Sequence, residues 1–364
     1  MNYKEKPLLI YWELTRACDL ACKHCRAKAV PWRHPQELTN EEGHALLEQL
    51  ASFEKPLPHL VFTGGDPLKR SDLFDLIAYA RDLGFTVSVT PSGTPLLTEE
   101  MILSLQQAGI WMMALSLDGS TPHSHDTIRG VPGSFDRTLQ AARWAKATGL
   151  PLQVNTLVCD QTLDELPDIF TQLTDIGITQ WALFFLIPVG RGAILKAVTP
   201  EESEDVMRWT YETAQHSPFR IRTTEAPHYR RFVLQQATSE RKDGSRASDT
   251  RSARSGFGVR DGNGIMFISH TGAVYPSGFL PLAAGHVRRH NPVEIYRSAP
   301  LFCVLREPDG LKGKCGFCEY RQICGGSRAR AYAATGDPME SDPLCPYEPS
   351  RQRVAIADQE VRDG

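Results

Sequence analysis

The sequence has 364 residues, a length that corresponds to two domains or to one large α/β barrel with an appendage. Hydrophobic residues make up 41% of the chain and charged residues 23%, which excludes a chain that is disordered throughout. The 40 basic and 43 acidic residues nearly balance, so the charge gives no reason to expect a nucleic acid or a membrane surface as a partner.

The beginning of the chain carries no signal-peptide pattern, and no apolar run is long enough to span a bilayer. We therefore expect a cytoplasmic protein with no membrane partner. Six short apolar runs then predict β-strands, and stretches of helical periodicity separate them. The six runs are 8–11, 59–62, 86–89, 112–117, 152–158 and 181–187.

Helices are predicted between these strands. Thr39 and Glu42 form a capping-box pattern at the start of the first helix, and further helices are predicted over 99–108, 135–148 and 164–176. Strand–helix units in regular succession predict an α/β fold with a parallel sheet and right-handed crossovers. The periodicity leaves open whether this sheet is doubly wound or a partial barrel.

The pattern changes after Gly192. A helix is predicted over 200–215, residues 236–264 have so few apolar anchors that they predict a flexible loop, and 264–275 predict a hairpin. The remainder is irregular and rich in Gly, Pro and Cys, a composition typical of small domains that a metal holds together. We expect three parts: a core over 1–192, a connecting helix and flexible loop over 193–263, and a small irregular domain over 264–364.

Nine cysteines, an odd number, argue against a disulfide framework. Cys18, Cys22 and Cys25 lie in the loop after the first predicted strand. Three thiolates cannot complete a four-ligand structural zinc site, whereas they can bind three irons of a [4Fe–4S] cluster and leave the fourth iron open. A zinc site would need His24 as its fourth ligand, in a strained position between two of the cysteines.

The run from Trp12 to Cys25, with the letters WELTRACDLACKHC, resembles the signature loop of radical S-adenosylmethionine (SAM) enzymes. The resemblance covers roughly residues 7–190 and implies a partial (β/α)6 barrel in which the open iron binds the amino and carboxylate groups of SAM. In that family one electron from the cluster cleaves SAM to a 5′-deoxyadenosyl radical, which abstracts a hydrogen atom from the substrate.

Gly64, Gly65 and Asp66 follow the second strand, where this family has a Gly-Gly-Glu stretch that meets the SAM amino group. Two glycines permit a close backbone approach, and a carboxylate can accept hydrogen bonds from an ammonium group. Asp66 replaces the commoner Glu and has a shorter reach.

Ser116 and Arg129 resemble the pair that contacts the SAM carboxylate in this family. The forked guanidinium of an arginine suits a carboxylate. Asn155, inside the fifth predicted strand, matches a position that often faces the ribose.

The second cluster of cysteines supplies four thiolates, enough for a closed site: Cys315, Cys318, Cys324 and Cys345. Their spacing alone leaves structural zinc and a second Fe–S cluster about equally open. The pattern resembles the C-terminal SPASM/twitch extension of radical SAM enzymes, which implies an auxiliary [4Fe–4S] cluster and two clusters in all. Ser277 and Ser327 stand at or near positions where fuller forms of the extension have further ligands, and Cys159 and Cys303 remain over.

Residues 314–337 closely resemble the subgroup that modifies tetrapyrroles in alternative heme pathways, which implies a heme-type precursor as substrate. Basic residues would then meet the propionates, and His228 could reach an iron. The arginines available are Arg191, Arg222, Arg230 and Arg231. The resemblance also implies a reducing electron donor such as flavodoxin or ferredoxin.

Two alternatives remain open at this point. The same extension occurs in enzymes that modify ribosomally made peptides, so the resemblance leaves a peptide substrate possible. A non-catalytic Fe–S or zinc protein for electron transfer or scaffolding is the alternative of another class, and it would not need the Gly-Gly-Asp and Ser…Arg features.

Overall fold

The computed structural model of the protein describes residues 2–242 and 258–349. Within these residues, ten strands form one sheet. The strands are β1 (Leu9–Glu13), β2 (His59–Thr63), β3 (Val87–Val89), β4 (Met112–Ser116), β5 (Leu152–Val158), β6 (Gln180–Phe185), β7 (Arg220–Thr224), β8 (Ile265–Ile268), β9 (Ala273–Tyr275) and β10 (Gly285–His286). Their order across the sheet is β10-β9-β8-β1-β2-β3-β4-β5-β6-β7.

Twelve helices are found in the same part of the chain. They are α1 (Asn40–Leu50), α2 (Leu73–Asp82), α3 (Glu99–Gln107), α4 (Pro122–Arg129), α5 (Ser134–Thr148), α6 (Leu166–Ile176), α7 (Pro200–Ala214), α8 (Tyr229–Lys242), α9 (Pro292–Ser298), α10 (Pro300–Leu305), α11 (Gly313–Gly316) and α12 (Arg328–Thr335). The capping box predicted for α1 is present, since the Thr39 hydroxyl accepts from the Glu42 amide and the Glu42 carboxylate accepts from the Thr39 amide.

Strands β1 to β7 run parallel to one another, and β8 runs parallel to β1 on its other side. Side chains alternate between the two faces of such a sheet. Ile10 and Leu60 belong to the hydrophobic core that includes residues of the helices, whereas their neighbours Leu9 and His59 are only partly buried. We call the face that carries Leu9 and His59, opposite the helices, the lumen.

The sheet is larger than the six strands that the sequence predicts. Strand β7 pairs with β6, and the predicted hairpin of β8 and β9 joins the same sheet because β8 pairs with β1. Strand β7 contains two arginines and two threonines around the buried Ile221, so it has no apolar run to mark it in the sequence.

The loop predicted over 236–264 is partly wrong, because α8 continues to Lys242. This end of the helix is polar and therefore lacks the apolar periodicity on which the prediction depends. The rest of the predicted loop falls largely on residues 243–257, which lie outside the described residues. The boundaries proposed for the three parts of the chain stay predictions.

A second, much smaller apolar cluster lies under the irregular C-terminal segment, away from the main core. Its buried members are Ile187, Leu280, Leu305, Leu311, Ala329 and Met339. Within the described ranges, no helix is both long enough and apolar enough to cross a membrane.

Candidate active site

The loop with Cys18, Cys22 and Cys25 begins at the carboxyl end of β1, the edge where parallel α/β sheets bind ligands. Cys18 and Cys22 are buried and Cys25 is partly buried, and none of them forms a disulfide. Backbone amides already point at two of the sulfurs: the Leu20 amide lies 3.3 Å from Cys18 Sγ and the Ala29 amide lies 3.4 Å from Cys25 Sγ. Such donors stabilise negative charge on sulfur.

The environment of these thiols makes uncompensated thiolates costly. Burial raises the pKa of Cys18 to about 11, and burial also raises the pKa of Cys22, where the charge of Arg129 acts in the opposite direction. A bound metal would displace these protons and supply the compensating charge. The zinc alternative with His24 as fourth ligand has no support, because within the described residues no three or more His, Cys, Asp or Glu side chains converge on a single metal ion.

Arg129, at the end of α4, lies against this loop. Its Nη1 is 3.7 Å from Cys22 Sγ and its Nη2 is 2.6 Å from the buried Asp118 carboxylate. The Nε atom of Arg129 is buried and has no hydrogen-bond partner within the described residues. A guanidinium with one unused donor beside the cysteine loop fits the carboxylate of a ligand such as SAM.

Gly64 and Gly65 bring the loop after β2 into backbone contact with the cysteine loop. A Cβ atom on Gly65 would lie 2.4 Å from the Ala17 carbonyl oxygen, and one on Gly64 would lie 2.7 Å from the Thr15 oxygen. The Gly65 amide donates to the Thr15 carbonyl, at 2.8 Å. The two glycines therefore serve the packing of the two loops, a role that the sequence analysis did not predict.

Asp66 is buried directly behind this contact, and burial raises the pKa of its carboxyl group. Its Oδ2 accepts a hydrogen bond from the Thr94 hydroxyl at 2.9 Å, and its Oδ1 accepts from the Leu68 amide at 3.2 Å. The Ser92 hydroxyl lies between this loop and the cysteines, 3.0 Å from the Gly65 carbonyl oxygen and 3.5 Å from Cys18 Sγ. The predicted contact of Asp66 with an amino group stays a prediction.

Ser116 and Asn155 are brought side by side. They are register partners on β4 and β5, and residues in register on neighbouring parallel strands share one face of the sheet. The Asn155 Oδ1 accepts a hydrogen bond from Gln153 Nε2 at 2.6 Å, which fixes the amide. Arg129 and the loop with Gly65 thus contact the cysteine loop, whereas Ser116 and Asn155 lie side by side on β4 and β5, and a shared site for all of them stays a prediction.

Arg191 holds the cysteine loop from the other side. Its Nε donates to the Cys22 carbonyl at 2.8 Å, its Nη1 donates to the Ala29 carbonyl at 3.0 Å, and its backbone amide donates to the Cys25 carbonyl at 3.0 Å. These contacts give Arg191 a structural role in the loop. Substrate binding by Arg191 stays a prediction that no contact supports.

The four C-terminal cysteines line one cavity, which surrounds about 400 Å³ of empty space, part of it open to solvent. Three basic side chains share the lining, Arg231, Lys314 and Arg321. Within the described residues, no three or more His, Cys, Asp or Glu side chains converge closely enough to hold a single metal ion. Four sulfurs are enough for a closed site, and this cavity is compatible with a [4Fe–4S] cluster that has one cysteine on each iron.

Backbone donors are also placed for sulfur in this cavity. The Gly326 amide lies 3.4 Å from Cys324 Sγ, and the Tyr320 amide lies 3.4 Å from Cys318 Sγ. Gly325 and Gly326 adopt φ values of 70° and 65°, a region that glycine occupies without strain. Burial raises the pKa of Cys324 to about 12 and that of Cys318 to about 11, so these thiols too need a cation to ionise.

The remaining serines and cysteines of interest do not line this cavity. The Ser277 hydroxyl contacts Asp261, and the Ser327 hydroxyl donates to Glu225 at 2.6 Å. Cys159 is fully buried, whereas Cys303 is exposed and its Sγ donates to the Arg297 carbonyl at 3.6 Å.

His228 and Arg230, predicted as substrate residues, lie elsewhere than expected. His228 is fully buried, its Nε2 is 3.0 Å from the Ser203 hydroxyl, and burial lowers the pKa of its imidazole to about 3. The ring has no exposed face for a ligand in this structure, so the predicted contact of His228 with a substrate iron has no support. Arg230 donates to the Ile323 carbonyl at 3.4 Å, next to Cys324.

Residues 12–173 match the family model of the radical SAM superfamily. The chain is 40% identical over 346 residues to the AdoMet-dependent heme synthase of Methanosarcina barkeri (strain Fusaro), covering 95% of this chain and 98% of that protein. It is 30% identical over 358 residues to the Fe-coproporphyrin III synthase of the same organism, covering 94% and 88%. Streptococcus suis SuiB bound to S-adenosylmethionine shares the fold, with a TM-score of 0.71 at 16% identity over 94% of this chain and 78% of that chain. The predicted α/β fold with a partial barrel is confirmed.

Proposed function

The chain belongs to the radical SAM superfamily and is a radical SAM enzyme that uses SAM and a [4Fe–4S] cluster, and we propose that its substrate is a carboxylate-bearing iron tetrapyrrole in heme synthesis. The observation that carries this proposal is the similarity to an AdoMet-dependent heme synthase over nearly the full length of both chains. The peptide substrate and the non-catalytic carrier are not favoured, because relatives of 39% and 40% identity are named heme synthases, whereas relatives named peptide cyclases are 27–28% identical.

In the proposed site, Cys18, Cys22 and Cys25 bind three irons of the cluster. When bound, the cluster and SAM together supply a 5′-deoxyadenosyl radical, which abstracts a hydrogen atom from the substrate. Arg129 would hold the SAM carboxylate through its unused Nε, together with Ser116 at the end of β4. The cysteine loop packs against the loop after β2. This contact supports one site that holds both the cluster and SAM.

Two further parts of the chain complete the proposed SAM site. Asn155 faces the ribose from β5. The loop of Gly64, Gly65 and Asp66 after β2 meets the amino group, and the fully buried Asp66 carboxylate holds this loop in place. Asp66 is buried among hydroxyl and amide donors, which keeps its carboxyl group in one orientation. The core over 1–192 would thus carry the SAM chemistry on its own.

We place a second [4Fe–4S] cluster in the cavity lined by the four C-terminal cysteines. The four sulfurs and the three basic side chains that line the cavity support a cluster of net negative charge. With four protein ligands this cluster has no open iron, so it would relay electrons rather than bind SAM. A reducing partner such as flavodoxin or ferredoxin would supply electrons, and a cytoplasmic location would keep the nine free thiols reduced.

The experiment is anaerobic reconstitution of the enzyme followed by incubation with SAM, dithionite and Fe-coproporphyrin III. We expect about eight irons per chain, release of 5′-deoxyadenosine and consumption of the tetrapyrrole. A variant with Cys18, Cys22 and Cys25 changed to Ala should keep about four irons and release no 5′-deoxyadenosine. Cys303→Ala, at an exposed cysteine outside both sites, is the matched control and should behave as the wild type.

Two outcomes would contradict parts of this proposal. Release of 5′-deoxyadenosine with no change of the tetrapyrrole would reject the substrate. One zinc and about four irons per chain would replace the second cluster by structural zinc.

A further inference from the structure

The sequence offers four arginines as partners for substrate carboxylates. In the structure, one of them differs from the others because its side chain has no partner among the described residues. Arg191 and Arg230 donate to backbone carbonyls, and Arg231 forms a two-point ion pair with Glu204. The Arg222 side chain makes no hydrogen bond or ion pair within the described part of the chain, and its Nε atom is buried without a partner.

Arg222 lies in the middle of β7, in a row with the proposed SAM residues. Its register partner on β6 is Ala182, which in turn pairs with Asn155 on β5, and Asn155 pairs with Ser116 on β4. Neighbouring strands are about 4.8 Å apart, so the backbone of Arg222 lies roughly 10 Å from that of Asn155. Ala182, which stands between them in this row, carries only a methyl group, so no large side chain of β6 separates Arg222 from Asn155 at this level.

The side chain of Arg222 faces the lumen. Its neighbour Ile221 belongs to the hydrophobic core on the helix side, and successive side chains of a strand point to opposite faces. The charge of Arg222 acts on His59, on β2. The pKa of the His59 imidazole is lowered to about 4, first by burial and second by the charge of Arg222. The lumen therefore holds the positive charge of Arg222.

Among residues 2–242 and 258–349, no acid forms an ion pair with Arg222. Glu13, the carboxylate at the lumen end of β1, is already bound to Arg26 at 2.9 Å and to His270 at 2.6 Å. A partly buried charge without a partner is costly, and a carboxylate accepts two parallel hydrogen bonds from a guanidinium. The environment of Arg222 thus matches a ligand that brings its own negative charge.

We propose that Arg222 binds a carboxylate side chain of the substrate in the lumen and places the substrate beside the SAM-binding row. The inference rests on the proposed function, because it takes a carboxylate-bearing tetrapyrrole as the substrate. It adds the group by which that substrate is recognised and the residue that recognises it.

The test measures binding of two probes to the reconstituted holoenzyme by absorbance titration: Fe-coproporphyrin III and its methyl ester, in which the carboxylates carry no charge. Arg222→Gln should weaken binding of the acid about ten- to a hundred-fold, while binding of the ester should be equally weak in wild type and variant. Arg222→Lys keeps the positive charge but lacks the forked guanidinium, so its affinity for the acid should lie between those of the wild type and Arg222→Gln. Arg220→Gln, at an exposed arginine on the same strand, is the matched control and should bind as the wild type.

The iron content of each variant shows that the fold is intact before binding is compared. Equal affinity of wild type and Arg222→Gln for the acid would overturn the inference while leaving the proposed function in place. If the wild type binds neither probe, the proposed substrate itself is wrong. Weakened binding of SAM by Arg222→Gln, with unchanged binding of the acid, would place Arg222 in the cofactor site instead and would also overturn the inference.

Discussion

Glu225 is an acid in an unusual position, in the turn between β7 and α8. Its φ of 57° lies in the left-handed region, where residues other than glycine are uncommon. Its carboxyl group accepts a hydrogen bond from the Ser327 hydroxyl at 2.6 Å. Burial, and then the nearby charge of Asp261, raise the pKa of Glu225 to about 8. The folded protein therefore holds a proton there at neutral pH.

This proton predicts a pH dependence of stability. Above the ordinary carboxyl value of 4.5 the unfolded chain releases the proton, whereas the folded chain keeps it up to about pH 8. The free energy of unfolding therefore falls as pH rises through this window. Glu225→Gln cannot ionise and keeps an acceptor for Ser327, so the variant should gain about 1–3 kcal/mol over the wild type at pH 8 and little at pH 5. Thermal unfolding of both holoenzymes at the two pH values measures the difference.

The control for this comparison is Glu54→Gln, at an exposed glutamate outside the site. Its melting temperature should track that of the wild type at both pH values. A Glu225→Gln curve that runs parallel to the wild-type curve from pH 5 to pH 8 would show that this carboxyl group is ionised in the folded protein.

The sequence predicts residues of this kind unevenly. Cys18, Cys22 and Cys25 stand within one loop, so their spacing carries the chemistry directly. The raised pKa of Glu225 depends on its burial near Asp261 and Ser327, and the position of Arg222 depends on the strands that surround the lumen. Chain folding brings these distant segments together. No local sequence pattern indicates such surroundings. The burial of His228, which is predicted to reach a substrate, is likewise not readable from its neighbours in the sequence.

At the scale of elements, the loops after β1 and β2 depend on one another. The Asp66 amide donates to the Ala17 carbonyl at 2.7 Å, and a Cβ atom on Gly65 would meet that same oxygen at 2.4 Å. Real Cβ atoms do not approach a carbonyl oxygen so closely, so a side chain here must push the two loops apart. The loop that moves is the one that carries the three N-terminal cysteines.

We therefore expect Gly65→Ala to lose the N-terminal cluster and keep the C-terminal one. Iron content should fall from about eight to about four per chain, and release of 5′-deoxyadenosine should fall with it. Gly310→Ala is the control, because a Cβ atom there would have ordinary contact at 3.5 Å with the end of the Met339 side chain. Full iron content in Gly65→Ala would show that the loops can shift without loss of the cluster.

The strands show the same limit of local information. Strands β1 to β6 are predicted because each is an apolar run followed by a helix. Strand β7 is missed, since only Ile221 is buried in it and its other residues are charged or polar. The predicted hairpin is found, whereas its pairing with β1 is not predictable, because the two are more than 250 residues apart in the chain.

For the molecule as a whole, the irregular C-terminal segment poses a question of stability. Its own apolar cluster has six buried members, against the far larger core behind the sheet. Buried polar contacts add to it: Asp342 accepts from the Ser327 amide at 2.8 Å and pairs with Arg330 at 3.1 Å. The four cysteines lie at the middle of these contacts, so a cluster bound there would tie the segment together.

Cys345→Ala tests whether this segment needs its metal. The change removes one of the four sulfurs that line the cavity, so the auxiliary cluster should be lost and iron should fall from about eight to about four per chain. The N-terminal site is untouched, so 5′-deoxyadenosine should still form, uncoupled from any change of the tetrapyrrole.

Limited proteolysis of the Cys345→Ala variant should cut residues 300–345 faster, because metal binding and folding are linked there. Cys303→Ala, with an exposed sulfur outside the cavity, should match the wild type in all three measurements. Full turnover of the tetrapyrrole by a soluble Cys345→Ala protein would show that the chemistry does not require the second cluster.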